Sequence, residues 1–259
     1  LLSEFVRIIS FTFRLFGNMT AGEILLLVIT YLVPFVLVLP FYGLELLVGL
    51  VQALIFAGLT LVFASMAVTS WLLCFPTCVL LRKLDCWDSP NSRSSHQKDT
   101  LRGGGIAPVL VIGVALGLAV YPVDSLLAGV WVAGIILLAG ISFLDDLRGI
   151  AAWKRLACHL LVAGVVFAVI RREAPSMGEL VLAVFIITVF VNSCNFMDGI
   201  NGLAAGQVAL TLVGTGIVLG MKVGEWSSPS VLLALGAGGA AAGFLPHNFP
   251  RAKVFLGDV

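Results

Sequence analysis

The chain has 259 residues, of which 60% are hydrophobic and only 11% are charged, and its mean hydropathy is +1.11. A soluble domain carries roughly twice that charged fraction, so the composition excludes an ordinary soluble protein and predicts a membrane protein with helical spans. The net charge of +1 and the lack of a basic stripe with interleaved aromatic residues argue against a nucleic-acid partner. The cysteines form no C-x-x-C pair and are odd in number, so we interpret them as small buried hydrophobic residues, not as a disulfide frame or metal site.

An arginine interrupts the first apolar region, residues 1–39. Arg14 lies among phenylalanine and leucine residues, and helical spacing places Asn18 on the same face one turn later. A charged side chain inside a spanning helix is costly, so Arg14 either has water or a polar partner or extends to the membrane surface near a helix end. A second apolar run follows at residues 44–67. Three further polar residues of these two runs are Glu23, Glu45 and Gln52.

The sequences FRLFGNMTAGEILL and VQALIFAGLTLVFASMA resemble the last two helices of subunit a of the rotary ATP synthase. The resemblance covers about residues 1–69. It implies that Arg14 faces the rotor ring and separates two proton half-channels. It also implies that polar side chains line the proton path, with Glu45 at a position where the family often has a histidine or an acid. Those side chains are Asn18, Glu23, Glu45 and Gln52.

Residues 70–84 form a predicted junction between two unlike regions. Its apolar part, residues 71–81, is shorter than the roughly 20 residues that a spanning helix needs, and Pro76 weakens it further. Residues 82–102 hold five lysine or arginine residues and indicate a cytoplasmic loop. The glycine run at 103–105 either approaches phosphate oxygens or is a plain flexible loop.

From Ile106 onward, apolar runs alternate regularly with short polar loops. Counting membrane crossings from the basic loop returns four polar segments, 82–105, 145–155, 195–202 and 247–259, to one face of the membrane. The chain is therefore predicted to be an all-α, polytopic integral membrane protein with about eight transmembrane helices. The apolar runs lie near 106–121, 126–144, 156–170, 179–194, 203–221 and 230–246.

The most polar turn of this region is NSCNFMDGINGLAAG, residues 192–206. It carries Asp198 and three amide side chains, Asn192, Asn195 and Asn201, between two apolar runs. An acid at a membrane boundary is costly and indicates a functional site. A loop that only caps the next helix, with Asn201 as the N-cap, is the alternative.

Four aspartates collect on the face that these loops share. They are Asp145, Asp146, Asp198 and Asp258. Clustered carboxylates repel one another unless a cation holds them, and oxygen ligands suit Mg²⁺ or Mn²⁺. Because Mg²⁺ commonly bridges carboxylates and phosphates, the pattern predicts phosphoryl transfer at the membrane surface. Alternatively, Asp145 and Asp146 merely pair with Arg148 or Lys154 at a helix end.

Four motifs in register resemble those of polyprenyl-phosphate N-acetylhexosamine-1-phosphate transferases, members of glycosyltransferase family 4. The motifs are DSPNSRSSHQKDTLRGGG, FLDDLRG, NFMDGINGLA and PRAKVFLGDV, and the resemblance covers about residues 79–259. It implies transfer of a sugar 1-phosphate, GlcNAc-1-phosphate or a related N-acetylhexosamine, from a UDP-sugar to undecaprenyl phosphate, with Mg²⁺ and release of UMP. Members of the family start O-antigen, enterobacterial common antigen and teichoic acid linkage units. The implied partners are thus UDP-N-acetylhexosamine, undecaprenyl phosphate and the bacterial inner membrane, with the active-site loops cytoplasmic.

The resemblance also implies roles for residues of these motifs. Asp145, Asp146 and Asp198 are the implied catalytic residues. Asp258, together with Asp145, is the implied Mg²⁺ ligand. The implied substrate-binding residues are Asn192, Asn195, Lys154, Arg251, Lys253, His96 and Arg102.

Two departures from the family pattern bear on activity. Asn201 stands where many members carry a second aspartate, and the chain stops at Val259, inside a motif that normally continues with Gly-Ser. Because chain ends fray unless they are tied down, we expect Asp258 to be poorly held and the transferase to be weak or inactive.

The sequence is therefore interpreted as two membrane-protein fragments in one chain. We predict a subunit a-like fragment at 1–69, the junction at 70–84 and a C-terminally truncated transferase-like domain at 85–259. The alternatives to transferase activity are a proton-translocating subunit with Arg14 as its working residue, or a fused remnant with neither activity.

Overall fold

A computed structural model describes residues 20–31, 38–88, 99–122, 124–171 and 176–257. Four residues with predicted roles lie outside these ranges: Arg14, Asn18, His96 and Asp258. Within the ranges the chain forms eight helices and two short strands. The helices are Thr20–Tyr31 (α1), Val38–Lys83 (α2), Ile106–Val120 (α3), Ser125–Arg148 (α4), Ala152–Arg171 (α5), Met177–Met197 (α6), Leu203–Val223 (α7) and Pro229–Asn248 (α8). The strands are Trp87–Asp88 (β1) and Thr100–Leu101 (β2).

The all-α, polytopic membrane architecture is confirmed. Six of the described helices, α2 and α4 to α8, are long and apolar enough to cross a membrane, so the expected number of about eight spans is not confirmed. The 15 residues of α3 rise only about 22 Å, which is short of the ~30 Å hydrocarbon core of a bilayer. Helix α1 is also among the shorter apolar helices.

Helix α2 corrects the prediction for residues 71–81. We expected this stretch to be separate from the apolar run at 44–67 and to be weakened by Pro76, but one helix of 46 residues runs through both. A proline costs a membrane helix little when neighbouring helices hold the flanking residues. Here Cys74 and Leu81, 1% and 0% exposed, pack with Phe244 of α8 in the main core cluster and hold the end of α2.

Helix α8 is the centre of the bundle, because 56% of its spanning stretch is buried, against 6–28% in the other candidate spans. Its glycines allow the backbone of α2 to approach closely. A Cβ at Gly239 would collide with the carbonyl group of Phe63, and a Cβ at Gly243 with that of Ala67. Two glycines four residues apart that face two carbonyls four residues apart form the small-residue contact typical of packed membrane helices.

The four polar segments meet at one end of the bundle, as the crossing count predicted. We call this end, formed by residues 99–105, 145–155, 195–202 and 247–257, the motif end. Strands β1 and β2 pair antiparallel there, and Val254 forms a parallel bridge to Leu101. The backbone N–H of Phe255 donates to the Leu101 carbonyl at 2.8 Å, and that of Gly104 donates to the Phe255 carbonyl at 2.8 Å.

The contact between α2 and α8 predicts the effect of enlarging its glycines. Gly243→Leu should lower the melting temperature of the detergent-solubilised protein, because overpacking a close contact costs about 1–3 kcal/mol. Gly58→Leu is the matched control, since a Cβ at Gly58 on the same α2 helix meets nothing within 4 Å. Fluorescence-detected size-exclusion chromatography after heating measures both variants. Equal melting temperatures for the two would contradict the packing described here.

Candidate active site

Asp198 ties the turn after α6 to the C-terminal segment. Its carboxylate is largely buried, with 8% of the residue exposed. The oxygens Oδ1 and Oδ2 accept hydrogen bonds from the backbone N–H groups of Leu256 at 3.2 Å and Gly257 at 2.8 Å. The capping alternative fails, because the N-cap of α7 is Gly202 without a side-chain cap, and Asn201 instead donates to the Pro250 carbonyl. The turn therefore positions a buried acid against residues 256–257.

Asn248, at the end of α8, is a second tie that the sequence analysis missed. It is 1% exposed, and its side-chain oxygen accepts the backbone N–H of Gly202. Its side-chain nitrogen donates to the Val254 carbonyl at 2.9 Å. One buried amide thus joins the α6–α7 turn to the C-terminal segment. The sequence does not distinguish a buried asparagine from an exposed one. The position of Asn248 beside the motif at 250–259 was therefore the one signal of its role.

The residues before Asp258 pair with the rest of the motif end. Val254 and Phe255 are 0% and 3% exposed. Lys253 N–H donates to the His247 carbonyl at 2.9 Å, and the Leu256 carbonyl accepts from Gly105 at 2.8 Å. The segment is therefore held in place up to Gly257, and the expectation that Asp258 is poorly held stays a prediction. The position of Asp258 itself lies outside the described residues, and its predicted role stays a prediction.

Asp146 lies on the other side of Gly257. Its side chain is 0% exposed, and its Oδ1 pairs with Arg102 Nε at 2.7 Å. A Cβ at Gly257 would come 2.5 Å from Asp146 Oδ2, and one at Gly103 would come 3.5 Å from the same atom. Both glycines have a positive φ, which favours glycine. The backbone of residue 257 is thus held between two acids, Asp146 and Asp198.

Asp145 points away from this pair. Its Oδ2 pairs with Arg155 Nη1 at 2.7 Å, and its Oδ1 accepts the backbone N–H of Ile150. The alternative of a helix-end ion pair therefore holds for Asp145, but with Arg155 instead of Arg148 or Lys154. Neighbouring residues on a helix point about 100° apart, so adjacent acids face different partners.

The predicted convergence of the acids on one metal site is not seen among the described residues. They contain no group of three or more histidine, cysteine or acidic residues placed to hold a metal ion. Asp146 and Asp198 nevertheless flank Gly257, and Asp258 follows it directly. Carboxylate oxygens are ligands that Mg²⁺ accepts, so the donor chemistry at Gly257 fits that ion.

A cysteine beside Asp146 contributes no charged ligand. Burial raises the pKa of the Cys86 thiol, and the neighbouring carboxylates of Asp146 and Asp85 raise this pKa further. The thiol is therefore neutral at pH 7, whereas soft metals bind the thiolate. Of the five cysteines, Cys74 and Cys86 are buried as predicted, whereas Cys78, Cys158 and Cys194 are only partly buried.

An apolar-walled cavity of about 330 Å³ lies between α3, α5, α6 and α7 at the motif end. The predicted residues Asn192, Asn195 and Asp198 line its polar side, together with Arg155 and His159 of α5, which the sequence analysis missed. The spacing of Arg155 and His159 could have indicated them, because residues four positions apart share one face of a helix. The apolar walls include Pro108, Val109, Ile112, Leu156, Phe190, Val191 and Val208.

A second, more polar cavity of about 280 Å³ adjoins the first. Three residues, Asn195, Asp198 and Gly257, line both cavities. The remaining lining residues of the polar cavity are Asp88, Arg102, Phe196, Gly199 and Phe255. The acid and amide of the α6–α7 turn therefore stand between an apolar-walled space and a polar one.

An open groove of about 600 Å³ continues from the apolar-walled cavity along the outside of α5 and α6. Leu156 and Asn192 line both spaces. The other groove residues are mainly apolar: Leu160, Phe185, Thr188, Val189, Ser193, Phe196 and Met197. The site thus has an apolar extension toward the surface that faces lipid.

Three predicted phosphate-binding residues, Lys154, Arg251 and Lys253, are exposed and line neither cavity. The Lys154 ammonium lies 5.7 Å from the ring centre of Trp153. The backbone N–H of Lys253 donates to the His247 carbonyl at 2.9 Å, so Lys253 lies beside the end of α8.

Of the predicted proton-path residues, two described acids come together. Glu23 and Glu45 line one cavity of about 640 Å³ between α1 and α2, with Tyr31 and Tyr42. Gln52 is exposed and does not line it.

The role of Asn248 predicts a local effect of its removal. Asn248→Ala leaves the part-buried N–H of Gly202 and the buried carbonyl of Val254 without this partner, at up to about 1–3 kcal/mol each. Hydrogen exchange of peptides that cover residues 250–257 should then accelerate by one to two orders of magnitude. Asn192→Ala is the control, since Asn192 donates only within α6, to the Thr188 carbonyl at 2.8 Å. Unchanged exchange at 250–257 in Asn248→Ala would show that this amide does not hold the segment.

Comparison with known proteins gives two regions of similarity. Residues 128–259 match the family model of glycosyl transferase family 4, and residues 1–65 match that of the ATP synthase A chain. The first match contains α5 to α8 with the motif-end acids, whereas the second ends inside α2.

Curated relatives resemble the larger region. The decaprenyl-phosphate N-acetylglucosaminephosphotransferase of Mycobacterium leprae (strain TN) is 31% identical over 207 residues, which are 70% of this chain and 52% of that protein. The enzyme of the same name from Mycobacterium tuberculosis (strain ATCC 25618 / H37Rv) is 30% identical over 227 residues, 77% of this chain and 56% of that protein. The phospho-N-acetylmuramoyl-pentapeptide-transferase of Synechococcus sp. (strain JA-3-3Ab) is 36% identical over 112 residues, 42% of this chain and 29% of that protein. The chain thus spans about half the length of the two mycobacterial relatives.

Proposed function

The chain belongs to glycosyl transferase family 4, and we propose that it transfers a sugar 1-phosphate from a UDP-sugar to undecaprenyl phosphate, with release of UMP. One observation carries the proposal: Asp146 and Asp198 hold Gly257 between them, where an apolar-walled cavity meets a polar one. A reaction between a lipid phosphate and a water-soluble nucleotide sugar needs such a boundary.

The polar cavity suits the nucleotide sugar. It offers an amide and an aromatic ring from Asn195 and Phe255. Amides bind sugar and base hydroxyl groups.

The apolar-walled cavity suits the lipid acceptor. Arg155 and His159 lie on its polar side, where a phosphate head group would bind, and the groove along α5 and α6 leads away from them toward lipid. That groove has the apolar lining that a polyprenyl chain requires. Asp145 orients Arg155 through their 2.7 Å ion pair, so the guanidinium has a fixed place in the cavity wall.

The proposed reaction is a single phosphoryl transfer. An oxygen of undecaprenyl phosphate attacks the phosphorus that carries the sugar, and the bond from that phosphorus to the UMP oxygen breaks. Asp146, Asp198 and the backbone at residue 257 hold the two substrates in register at the cavity boundary. Mg²⁺ or Mn²⁺ would supply positive charge for the diphosphate when bound, with Asp258 and Asp146 as its proposed ligands. Asp146 replaces the expected ligand Asp145, which pairs with Arg155 instead.

The activities named for the relatives support the substrate classes. The mycobacterial names combine decaprenyl phosphate with N-acetylglucosamine phosphate. We therefore propose an N-acetylhexosamine as the sugar, and a place in the bacterial inner membrane with the motif end on the cytoplasmic side. The basic residues at the end of α2, Arg82 and Lys83, agree with that orientation. The product would enter cell-envelope polysaccharide synthesis at its first membrane step.

The test is release of UMP from UDP-GlcNAc with undecaprenyl phosphate, with and without Mg²⁺. Release should require both substrates, and Asp146→Asn, Asp198→Asn and Asp258→Asn should each lower it at least about 100-fold, the effect of removing one group that stabilises developing charge. Glu225→Gln is the control, because Glu225 lies between α7 and α8 at the opposite end of the bundle. Full activity in EDTA, or undiminished activity of Asp146→Asn, would contradict this assignment.

A second candidate function is proton translocation by the first region. Two observations favour it: residues 1–65 match the ATP synthase A chain, and Glu23 and Glu45 line one cavity. It ranks second because the arginine that would work in it, Arg14, needs a carboxylate supplied by a rotor ring.

Proton flux into liposomes tests this second function. The chain alone should give no flux above that of empty liposomes, because no rotor ring is present to supply the carboxylate. A flux that Arg14→Gln abolishes would instead favour proton translocation.

A further inference from the structure

The backbone around Arg102 is fixed on both sides. Leu101, directly before it, is 1% exposed and contacts Trp87 in β1 and Val254 in the C-terminal segment. The N–H of Arg102 itself donates to the Cys86 carbonyl at 3.1 Å. The starting point of the Arg102 side chain is therefore set by main-chain pairing.

From that point, the side chain of Arg102 reaches Asp146. Its Nε lies 2.7 Å from Asp146 Oδ1, and the two side chains are 38% and 0% exposed. Nε belongs to the inner part of the guanidinium, so the whole group is oriented by this contact and not only its tip. Asp146 is the fully buried partner and Arg102 the one that reaches solvent.

A buried carboxylate is costly unless a cation is paired with it. Asp198 lies across Gly257, so a second negative charge approaches Asp146 from the other side of that residue. If the guanidinium of Arg102 left Asp146 to bind a substrate phosphate, the buried acid would lose a paired cation at 2.7 Å. Arg102 lines the polar cavity, but its ion pair with Asp146 is therefore the better indication of its role.

We propose that Arg102 is a positioning residue, which holds the buried Asp146 carboxylate against Gly257, and not a phosphate contact of the nucleotide sugar. This corrects the role that the family resemblance implied for Arg102. Its consequence for turnover rests on the proposed transferase function, whereas its consequence for stability does not.

A double-variant cycle on stability tests the pairing without substrate. Arg102→Gln removes the cation that pairs with the buried Asp146 carboxylate at 2.7 Å and should lower the melting temperature by about 5–10 °C. Adding Asp146→Asn removes the charge, so the double variant should regain most of that loss. Arg102→Lys keeps a cation and should lose less than Arg102→Gln. The control Arg82→Gln changes an exposed arginine at the end of α2 and should have no such effect.

Kinetics separate positioning from phosphate binding. If Arg102 is a positioning residue, Arg102→Gln should lower kcat at least about tenfold and leave KM for the UDP-sugar within about threefold. The reason is that the substitution removes an interaction needed only for turnover. Arg102→Lys should recover part of kcat. A tenfold rise of KM with unchanged kcat would make Arg102 a phosphate contact and overturn the proposal.

The two readouts also keep this inference apart from the proposed function. If the double variant regains its melting temperature but the unmodified chain releases no UMP, the pairing stands and the transferase assignment fails. If the losses from Arg102→Gln and Asp146→Asn simply add, the pairing inference fails whether or not the chain is active.

Discussion

The motif end depends on the hydrogen bonding of one extended segment, residues 253–257. An extended backbone buried in a membrane protein must satisfy its N–H and carbonyl groups, because an unpaired group there costs several kcal/mol. These groups find partners in three places: the 99–105 segment at Leu101 and Gly104, the α6–α7 turn at Asp198, and the end of α8 at Asn248. Pairing the segment brings together loops that lie far apart in sequence, and the two cavities form around it.

The remainder of the fold provides a rigid base for that segment. Helix α8 carries Asn248 at its end, and the contact of Gly239 and Gly243 with the α2 backbone holds α8 in the centre of the bundle. Part of this contact comes from Phe63, within the region that matches the ATP synthase A chain. A segment that matches the ATP synthase A chain thus packs directly against a helix of the region that matches glycosyl transferase family 4. In this fold that segment helps to hold α8 in the centre of the bundle.

Sequence reasoning could predict which loops meet, but not how their side chains pair. Each spanning helix takes the chain to the other side of the membrane. Counting the apolar runs therefore placed Asp146, Asp198 and the C-terminal segment at one end. It could not separate Asp145 from Asp146, since that depends on the rotation of α4 about its axis. Nor could it identify Asn248, whose role comes from contacts with two distant segments. The continuity of α2 through Pro76 was missed because its stability comes from packing on α8.

The proposed function depends on the binding of a nucleotide sugar at the motif end, against residue 257. Hydrogen exchange of the protein with and without UDP-GlcNAc and Mg²⁺ measures this binding directly, peptide by peptide. Binding there should slow exchange in the peptides that cover 99–105, 195–202 and 250–257 together, with no change at 224–228 on the opposite end. Protection confined to the opposite end, or to α1 and the first half of α2, would contradict it.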